Sequence, residues 1–243
     1  MYSCFLSSLK ALTAGPFGQR IRESIVANLI TEDRWRIMLD GLFTTLQVSM
    51  LSIVFASIWG AALCAMRMSR QRFLHKPAGI YVDLMRSLPL MILLLVSFYI
   101  IFAATNLSKV QIVVACFSMY FGAYFCEIFR TGVEGVDKGQ REAGSALGLS
   151  RPQVFGRIVL PQAVLRILPV FKVQMTALIK STSIVGYVSV IDITKAGDYM
   201  RARTFDAFFP LLLVAVIYFI LTWVFGLGID VAERKLTPKS RSI

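Results

Sequence analysis

The most constraining feature of the sequence is an apolar run at residues 41–66 that contains no charged side chain. A helix needs about 20 such residues to cross the hydrocarbon core of a bilayer. Runs at residues 87–108, 110–126 and 207–229 are also long enough. Across the chain 56% of residues are hydrophobic and only 16% are charged, a balance far from that of soluble domains. The sequence therefore predicts an integral membrane protein of the all-α class.

A weaker apolar run at residues 173–191 contains Lys180 and several hydroxyl side chains. Its composition does not assign it to the membrane, but the distribution of charge does. With five spans and the N-terminus outside, 14 basic residues lie near span ends on the inner side and 6 on the outer side. Because short cytoplasmic loops are enriched in Lys and Arg, this arrangement is favoured. We therefore predict a five-span domain at residues 41–230 with a cytoplasmic C-terminus.

The same topology accounts for the net charge of +12. In a soluble protein such a charge would indicate nucleic acid as a partner. In a membrane protein it belongs to inner loops that face anionic lipid, so we expect lipid contact and no nucleic acid. Residues 231–243 are predicted to form a basic cytoplasmic tail, and residues 192–206 a short outer connection with its own helix.

Residues 1–40 are predicted to form an extension outside the membrane domain. Ile21, Ile25 and Leu29 have helical spacing, which is consistent with an amphipathic helix on the outer membrane surface. A loosely ordered extension is the alternative, and the sequence does not separate the two.

The loop at residues 130–172 is too long to be a simple turn. We predict a first helix at residues 139–147, closed by Gly148, because glycine is preferred after a helix end. Ser150 and Gln153 form the capping-box pattern that starts a second helix. This hairpin has one apolar side, so it either docks a partner or packs against its own bundle.

Pro161 is the next residue in this loop that is expected to interrupt a helix. Proline disfavours helix at the residue before it, so the second helix is predicted to end near Val159 and a third segment to begin at Pro161.

One pattern of fixed spacing runs through the hairpin. Its members are Glu142, Ala143, Gly144, Gly148, Ile158, Leu160 and Pro161. The pattern resembles the EAA loop of binding-protein-dependent ABC importer permeases, with Gly144 in place of a second alanine. That replacement lowers helix propensity by about 1 kcal/mol. Segments 41–47, 81–90, 123–130 and 178–183 are similar to motifs of the polar amino acid branch, so the resemblance covers about residues 41–235.

The resemblance implies a division of labour among several chains. Two permease chains, identical or related, would form the pore in a bacterial cytoplasmic membrane. Cytoplasmic ATPase subunits would bind the EAA loops at residues 139–161, and an outer substrate-binding protein would deliver the substrate. The chain has no Gly-x-x-x-x-Gly-Lys-[Ser/Thr] run, so we expect no cofactor of its own, no enzymatic activity, and ATP bound by the partner.

Polar residues within or beside the spans are candidates for the translocation pathway. A charge in a span costs about 2.5–3.5 kcal/mol on insertion scales, so Lys180 is expected to face water or a partner. It can meet a substrate carboxylate, pair with an acid such as Glu127, or reach a lipid headgroup. Glu127 can also pair with Arg130, three residues later. The full candidate set is Lys180, Thr182, Ser183, Glu127 and Arg86, the last being either an inner anchor or part of a gate.

Two other classes of function would require different residues in the spans. An ion-coupled secondary transporter subunit is the alternative, but such proteins favour acids or broken helices at the midplane. An intramembrane enzyme of lipid metabolism would need clustered acids or histidines, and His75 is the only histidine. We predict the permease subunit of an ATP-driven importer for polar amino acids.

Overall fold

The computed structural model describes residues 31–236, and that part of the chain contains helices and no strand. The all-α prediction is confirmed. The predicted outer helix around Ile21 and the tail residues 237–243 lie outside the described part. The α-helices are α1 (Trp35–Arg67), α2 (Arg72–Ser87), α3 (Leu90–Val96), α4 (Lys109–Glu134), α5 (Lys138–Ala146), α6 (Arg151–Val154), α7 (Leu160–Ser181), α8 (Ile193–Thr204) and α9 (Phe208–Leu236). Short π-helical turns follow α3 (Ser97–Ile101) and α6 (Phe155–Val159), and a 3-10 turn follows α7 (Thr182–Val188).

Four continuous helical stretches are long and apolar enough to cross a membrane. They are Trp35–Arg67, Lys109–Glu134, Arg151–Val188 and Phe208–Lys235. A fifth crossing is possible where α2 and the Leu90–Ile101 stretch meet at a bend of 108°. This count of four or five agrees with the five predicted spans.

The second span, expected at residues 87–108 with a bend at Pro89, is preceded by a separate helix. Leu88 and Pro89 are extended and separate α2 from α3. Proline has no N–H to donate and disfavours helix at the residue before it, which explains the break. The helix α2, absent from the prediction, is amphipathic and is separated from α1 by four residues.

The break predicted before Pro161 is wrong. Leu160 donates its N–H to the carbonyl of Phe155, a π-type bond, and the helix continues from Arg151 to Val188. A π-turn changes the register of the hydrogen bonds, so the proline enters the first turn of α7, where its missing donor matters least. The hairpin is therefore joined directly to a span.

The helices α1 and α4 form the centre of the bundle. A Cβ added at Gly60 would lie 2.7 Å from the Cβ of Phe125, and one added at Gly122 would lie 2.7 Å from Cδ1 of Trp59. Small residues at these crossings allow the close helix packing that stabilises membrane bundles. The fully buried Phe117 and Phe125 fill the core beside them.

The bundle has two chemically different ends. The hairpin end contains α5, α6 and the C-terminal ends of α1 and α4, and the opposite end contains α8 and the start of α1. The helix predicted within the connection at residues 192–206 is present as α8. Its Ile193, Ala196 and Met200 are buried against Met38 and Val214, so it is packed onto the bundle.

Candidate functional site

The hairpin is built by local capping interactions. Asp137 Oδ1 accepts the N–H of Gly139 at 2.7 Å and starts α5. Gly148 has a φ of 78°, which lies in the left-handed region that glycine adopts at little cost. Gln153 Oε1 then accepts the N–H of Ser150 at 2.9 Å and completes the capping box. The predicted helical hairpin is confirmed.

The inner side of the hairpin is tightly packed around Gly144. A Cβ at this position would lie 2.6 Å from Cδ1 of Ile158 and 3.1 Å from a methyl of Val154. Val154 and Val159 are buried with Val133 beneath them. The replacement of the expected alanine by Gly144 therefore brings α5 closer to the segment that follows the turn.

The outer side of the hairpin presents one charge and exposed apolar surface. Glu142 and Ala143 are exposed, and no ion pair of Glu142 is found within residues 31–236. Leu147 is 80% exposed and Phe155 is 45% exposed. The sequence motif did not single out Leu147, which lies between α5 and the turn glycine.

The remaining motif residues connect the hairpin to α7. Ile158 is half-buried, while Leu160 and Pro161 are exposed where α7 begins. Glu142 and Ala143 are thus the exposed part of the motif, Gly144 packs against Ile158, and Leu160 and Pro161 join the hairpin to the span.

Two arginines attach the hairpin segments to the end of α4. Arg141, in α5, donates to the carbonyl of Val133, and Arg166, in α7, donates to the carbonyl of Gly135. Cations are favourable at the C-terminal end of a helix, where carbonyls lack intrahelical partners. Neither arginine was identified from the sequence. The partner of each is a backbone carbonyl, which every residue has, so no residue type marks the contact.

An ion-pair cluster lies next to this attachment. Glu127 pairs with Arg67 across the α1–α4 contact and with Arg130 Nη2 at 2.8 Å. Arg130 also reaches Glu134 at 2.8 Å. The predicted Glu127–Arg130 pair is confirmed. The alternative pairing of Glu127 with Lys180 is not found: the partners of this carboxylate are Arg67 and Arg130, and Lys180 forms no ion pair within the described residues.

Three of the pathway candidates are exposed or half-buried at the bundle surface. Lys180 is exposed in the last turn of α7 and has no ion pair among the described residues, and Ser183 is half-buried just beyond it. Arg86, also exposed, ends α2 with its guanidinium 5.6 Å from the centroid of the Tyr124 ring. This distance is within cation–π range, so Arg86 is partly fixed against α4.

Thr182 does not line an open channel in this structure. Its side chain is fully buried, donates to the carbonyl of Ile179 at 2.8 Å, and lies 3.2 Å from the hydroxyl of Tyr218. Tyr218 in turn donates to Asp192 Oδ2 at 3.1 Å. Thr182 therefore belongs to a buried polar cluster near the opposite end.

We call this cluster the Asp192 node; its members are Thr45, Thr182, Asp192, Thr194 and Tyr218. The Asp192 carboxylate is fully buried and caps α8 by accepting the N–H groups of Thr194 at 3.0 Å and Lys195 at 2.9 Å. Burial raises the pKa of this carboxyl, and the hydrogen bonds that it accepts oppose the rise. The N–H of Ile193 reaches Thr45 on α1 at 3.3 Å. The node thus joins α1, the 3-10 turn after α7, α8 and α9.

The backbone of Asp192 also touches α1 directly. A Cβ at Gly41 would lie 2.6 Å from the Asp192 carbonyl oxygen, so only glycine permits this approach. Among the described residues, no group of three or more His, Cys, Asp or Glu side chains is arranged to hold a metal ion.

A bundle of four or five apolar helices with an exposed helical hairpin at one end is the architecture of a multi-pass membrane protein. The chain belongs to the family of binding-protein-dependent transport system inner membrane components, whose model matches residues 52–242. The prediction of an ABC importer permease is thereby confirmed, and the ion-coupled alternative is not supported.

Individual relatives agree with this assignment. The chain is 32% identical over 235 residues to the L-cystine transport system permease protein TcyB of Bacillus subtilis (strain 168), covering 96% of this chain and 97% of that protein. It is 30% identical over 204 residues to a putative glutamine transport system permease protein GlnP of Rickettsia bellii (strain RML369-C), covering 82% and 92%.

Solved structures give the same fold. The crystal structure of an amino acid ABC transporter with histidines matches with a TM-score of 0.75 and 28% identity, covering 82% of this chain and 94% of that chain. The inward-facing MetNI methionine ABC transporter matches with a TM-score of 0.73 over 86% of this chain and all of that chain. At 18% identity, the second similarity concerns the fold alone.

Proposed function

We propose that this chain is the permease subunit of an ATP-driven importer for polar amino acids, and that its hairpin docks a separate ATPase. The exposed pair Glu142 and Leu147, on a hairpin fixed to two spans, is the observation that carries the proposal. The relatives named for cystine and glutamine transport support the substrate class. The chain would move its substrate without covalent chemistry.

Docking follows from the chemistry of the exposed side of the hairpin. Glu142 is a charge without an ion pair in the described part of the chain, and Leu147 is an apolar side chain standing in water. A carboxylate buried in an interface needs a cation, and an exposed leucine gains free energy in an apolar pocket. We infer a partner surface with a basic residue beside such a pocket, supplied by the ATPase.

Movement of the docked hairpin would be transmitted by its attachments. Arg141 and Arg166 fasten α5 and α7 to the last turn of α4, and the π-turn joins the hairpin to the span without a break. Displacement of the hairpin therefore shifts α4 and α7 together. Such rigid-body shifts convert closure of a partner into a change of accessibility across the membrane.

Docking of a cytoplasmic ATPase requires that the hairpin end face the cytoplasm, and we propose the orientation that follows. The hairpin end faces the cytoplasm of a bacterium, with the N-terminus outside and the C-terminus inside, in line with the distribution of basic residues. An outer substrate-binding protein then meets the opposite end.

Lys180 is the strongest candidate for the pathway. It is exposed on a membrane-spanning helix, and a cation facing lipid is costly. We infer that this surface faces a water-filled pathway completed by a second permease chain, identical or related, where the ammonium attracts a substrate carboxylate. Arg86 and Ser183 are the further exposed or half-exposed candidates.

The pathway proposal is tested by uptake kinetics. In proteoliposomes that contain the full transporter, Lys180→Ala should raise the KM for uptake at least tenfold, while Lys180→Arg should retain most of the affinity. An unchanged KM and substrate profile in the alanine variant would remove Lys180 from the pathway.

The docking proposal is tested in the same proteoliposomes. Glu142→Lys and Leu147→Ser should each abolish substrate-stimulated ATP hydrolysis and uptake together. The matched control is Asp198→Lys, the same charge change on α8 at the opposite end, which should leave basal ATP hydrolysis, measured without the binding protein, intact. Normal hydrolysis in both hairpin variants would contradict docking.

A further inference from the structure

The helix α2 has three chemically different sides. Ala78, Val82 and Met85 are buried against the bundle. Phe73, Ile80 and Leu84 have a spacing of seven and four residues, which places them on another side, and they are 88%, 69% and 51% exposed. One apolar side is therefore satisfied by the protein and a second has no partner in the described part of the chain.

The third side of α2 and its approach are basic. Arg70, Arg72 and Lys76 are all exposed, and none of them forms an ion pair within residues 31–236. Asp83 is the only acidic residue of α2. Three cations beside a free apolar stripe are complementary to an anionic amphiphile.

The position of α2 fits a membrane surface. The helix axis turns by 108° between α2 and the Leu90–Ile101 stretch, so if that stretch crosses the bilayer, α2 lies nearly in its plane. Its first turns lie at the hairpin end, where His75 Nδ1 is 2.5 Å from the carbonyl of Arg67. Arg67 itself pairs with Glu127 near the end of α4. The basic side of α2 thus sits at the level where headgroups meet water.

We propose that α2 is an interfacial helix that binds anionic phospholipid of the inner leaflet. Phe73, Ile80 and Leu84 contact the acyl chains, and the cations Arg70, Arg72 and Lys76 hold the headgroup phosphate. A helix with an apolar side and basic flanks lies in the interface in this way, and each basic residue near an anionic surface is worth about fivefold in affinity. The placement in the inner leaflet depends on the orientation proposed above.

The binding is measured on the purified complete transporter in detergent. Phosphatidylglycerol is titrated in, and retained lipid is counted by native mass spectrometry, with phosphatidylcholine as the neutral comparison. The wild type should retain phosphatidylglycerol preferentially. The triple variant R70Q/R72Q/K76Q should bind it at least tenfold more weakly. The matched control is K195Q/R201Q/R203Q, which removes three charges from α8 and should bind as the wild type does.

The apolar stripe is tested separately. Phe73→Ser with Ile80→Ser should also weaken retention of phosphatidylglycerol, while the variant still assembles with its partners. A second permease copy covering the stripe is the competing occupant. Efficient disulfide cross-linking of two permease chains through Phe73→Cys, or equal lipid retention by the R70Q/R72Q/K76Q variant, would overturn the proposal.

These outcomes are independent of the docking proposal. Lipid retention requires no ATP hydrolysis, so a failure of Glu142 docking would leave the lipid count unchanged. The leaflet is read from Arg72→Cys, which should react with an impermeant maleimide only from the cytoplasmic side. Reaction from the outer side would refute the inner-leaflet placement.

Discussion

The two ends of the bundle are held by different polar chemistry. At the hairpin end, long arginine side chains reach carboxylates and helix-end carbonyls, as Arg67 and Arg141 do. At the opposite end, the short or rigid side chains of the Asp192 node meet in a cluster whose Thr45, Thr182 and Asp192 are fully buried. Long side chains follow a moving partner through rotamer changes, whereas a buried cluster of short ones holds a single geometry. We therefore expect motion at the hairpin end and a stable pivot near the node.

The largest change in stability at either end is expected when Arg67 is removed. Arg67→Ala leaves Glu127 with one arginine in a site where its side chain is only 16% exposed. We expect a loss of about 3 kcal/mol, or about 8 °C in the midpoint of thermal unfolding in detergent. The control is Arg201→Ala, which breaks an exposed ion pair with Asp198 and should cost less than about 1 kcal/mol. Equal shifts for the two variants would contradict the role of the cluster.

A smaller loss is expected at the opposite end. Asp192→Ala removes the cap of α8 and the acceptor of Tyr218, which should cost about 2 kcal/mol in unfolding free energy. Asp192→Asn should cost about 1 kcal/mol, since asparagine carries no charge to bury and keeps one acceptor oxygen for the cap, but its amide NH2 replaces the second oxygen. Thermal unfolding of both variants separates capping from charge. A loss in the asparagine variant equal to that in the alanine variant would show that the charge itself is required.

The carboxyl of Asp192 also predicts the direction in which stability changes with pH. Because burial raises the pKa of Asp192 in the folded state, the folded protein binds the proton more tightly than the unfolded chain does. The wild type should therefore gain stability relative to Asp192→Asn as the pH falls through the raised pKa towards the ordinary value for a carboxyl. Unfolding midpoints of both proteins across this acid range check the sign, and a gain on raising the pH would contradict it.

The smallest effect is expected inside the hairpin. Gly144→Ala gains about 1 kcal/mol of helix propensity but places a methyl 2.6 Å from Cδ1 of Ile158. Overpacking costs about 1–3 kcal/mol, so a net loss of about 1 kcal/mol is expected. Adding Ile158→Val removes the conflicting methyl and should restore most of the loss. Unfolding midpoints that fall further in the double variant would contradict this packing.

The hairpin was predictable because its signals are local. The caps at Ser150 and Gly148 and the motif spacing lie within about 25 residues, and the structure reproduces them. The break at Pro89 was also readable, because proline disfavours helix at the preceding residue, and the spacing of Phe73, Ile80 and Leu84 marks α2. The helix α2 was missed because hydropathy alone set the start of the span at residue 87.

The Asp192 node was beyond sequence reasoning for a different reason. Thr45, Asp192 and Tyr218 are separated by long stretches of chain and share no spacing, and each is an ordinary residue in its own segment. Only the packing of α1, α8 and α9 brings them together. The same applies to Arg166, whose partner is the backbone carbonyl of Gly135.

The most direct test of the central claim is the affinity of the purified ATPase for the permease in detergent. The dissociation constant should rise at least about 30-fold for Glu142→Lys, as expected for the loss of one partner of an interfacial charge pair. Asp198→Lys should leave this constant unchanged. Unchanged affinity in the Glu142→Lys variant, with the protein still folded, would contradict the assignment of the hairpin as the docking site.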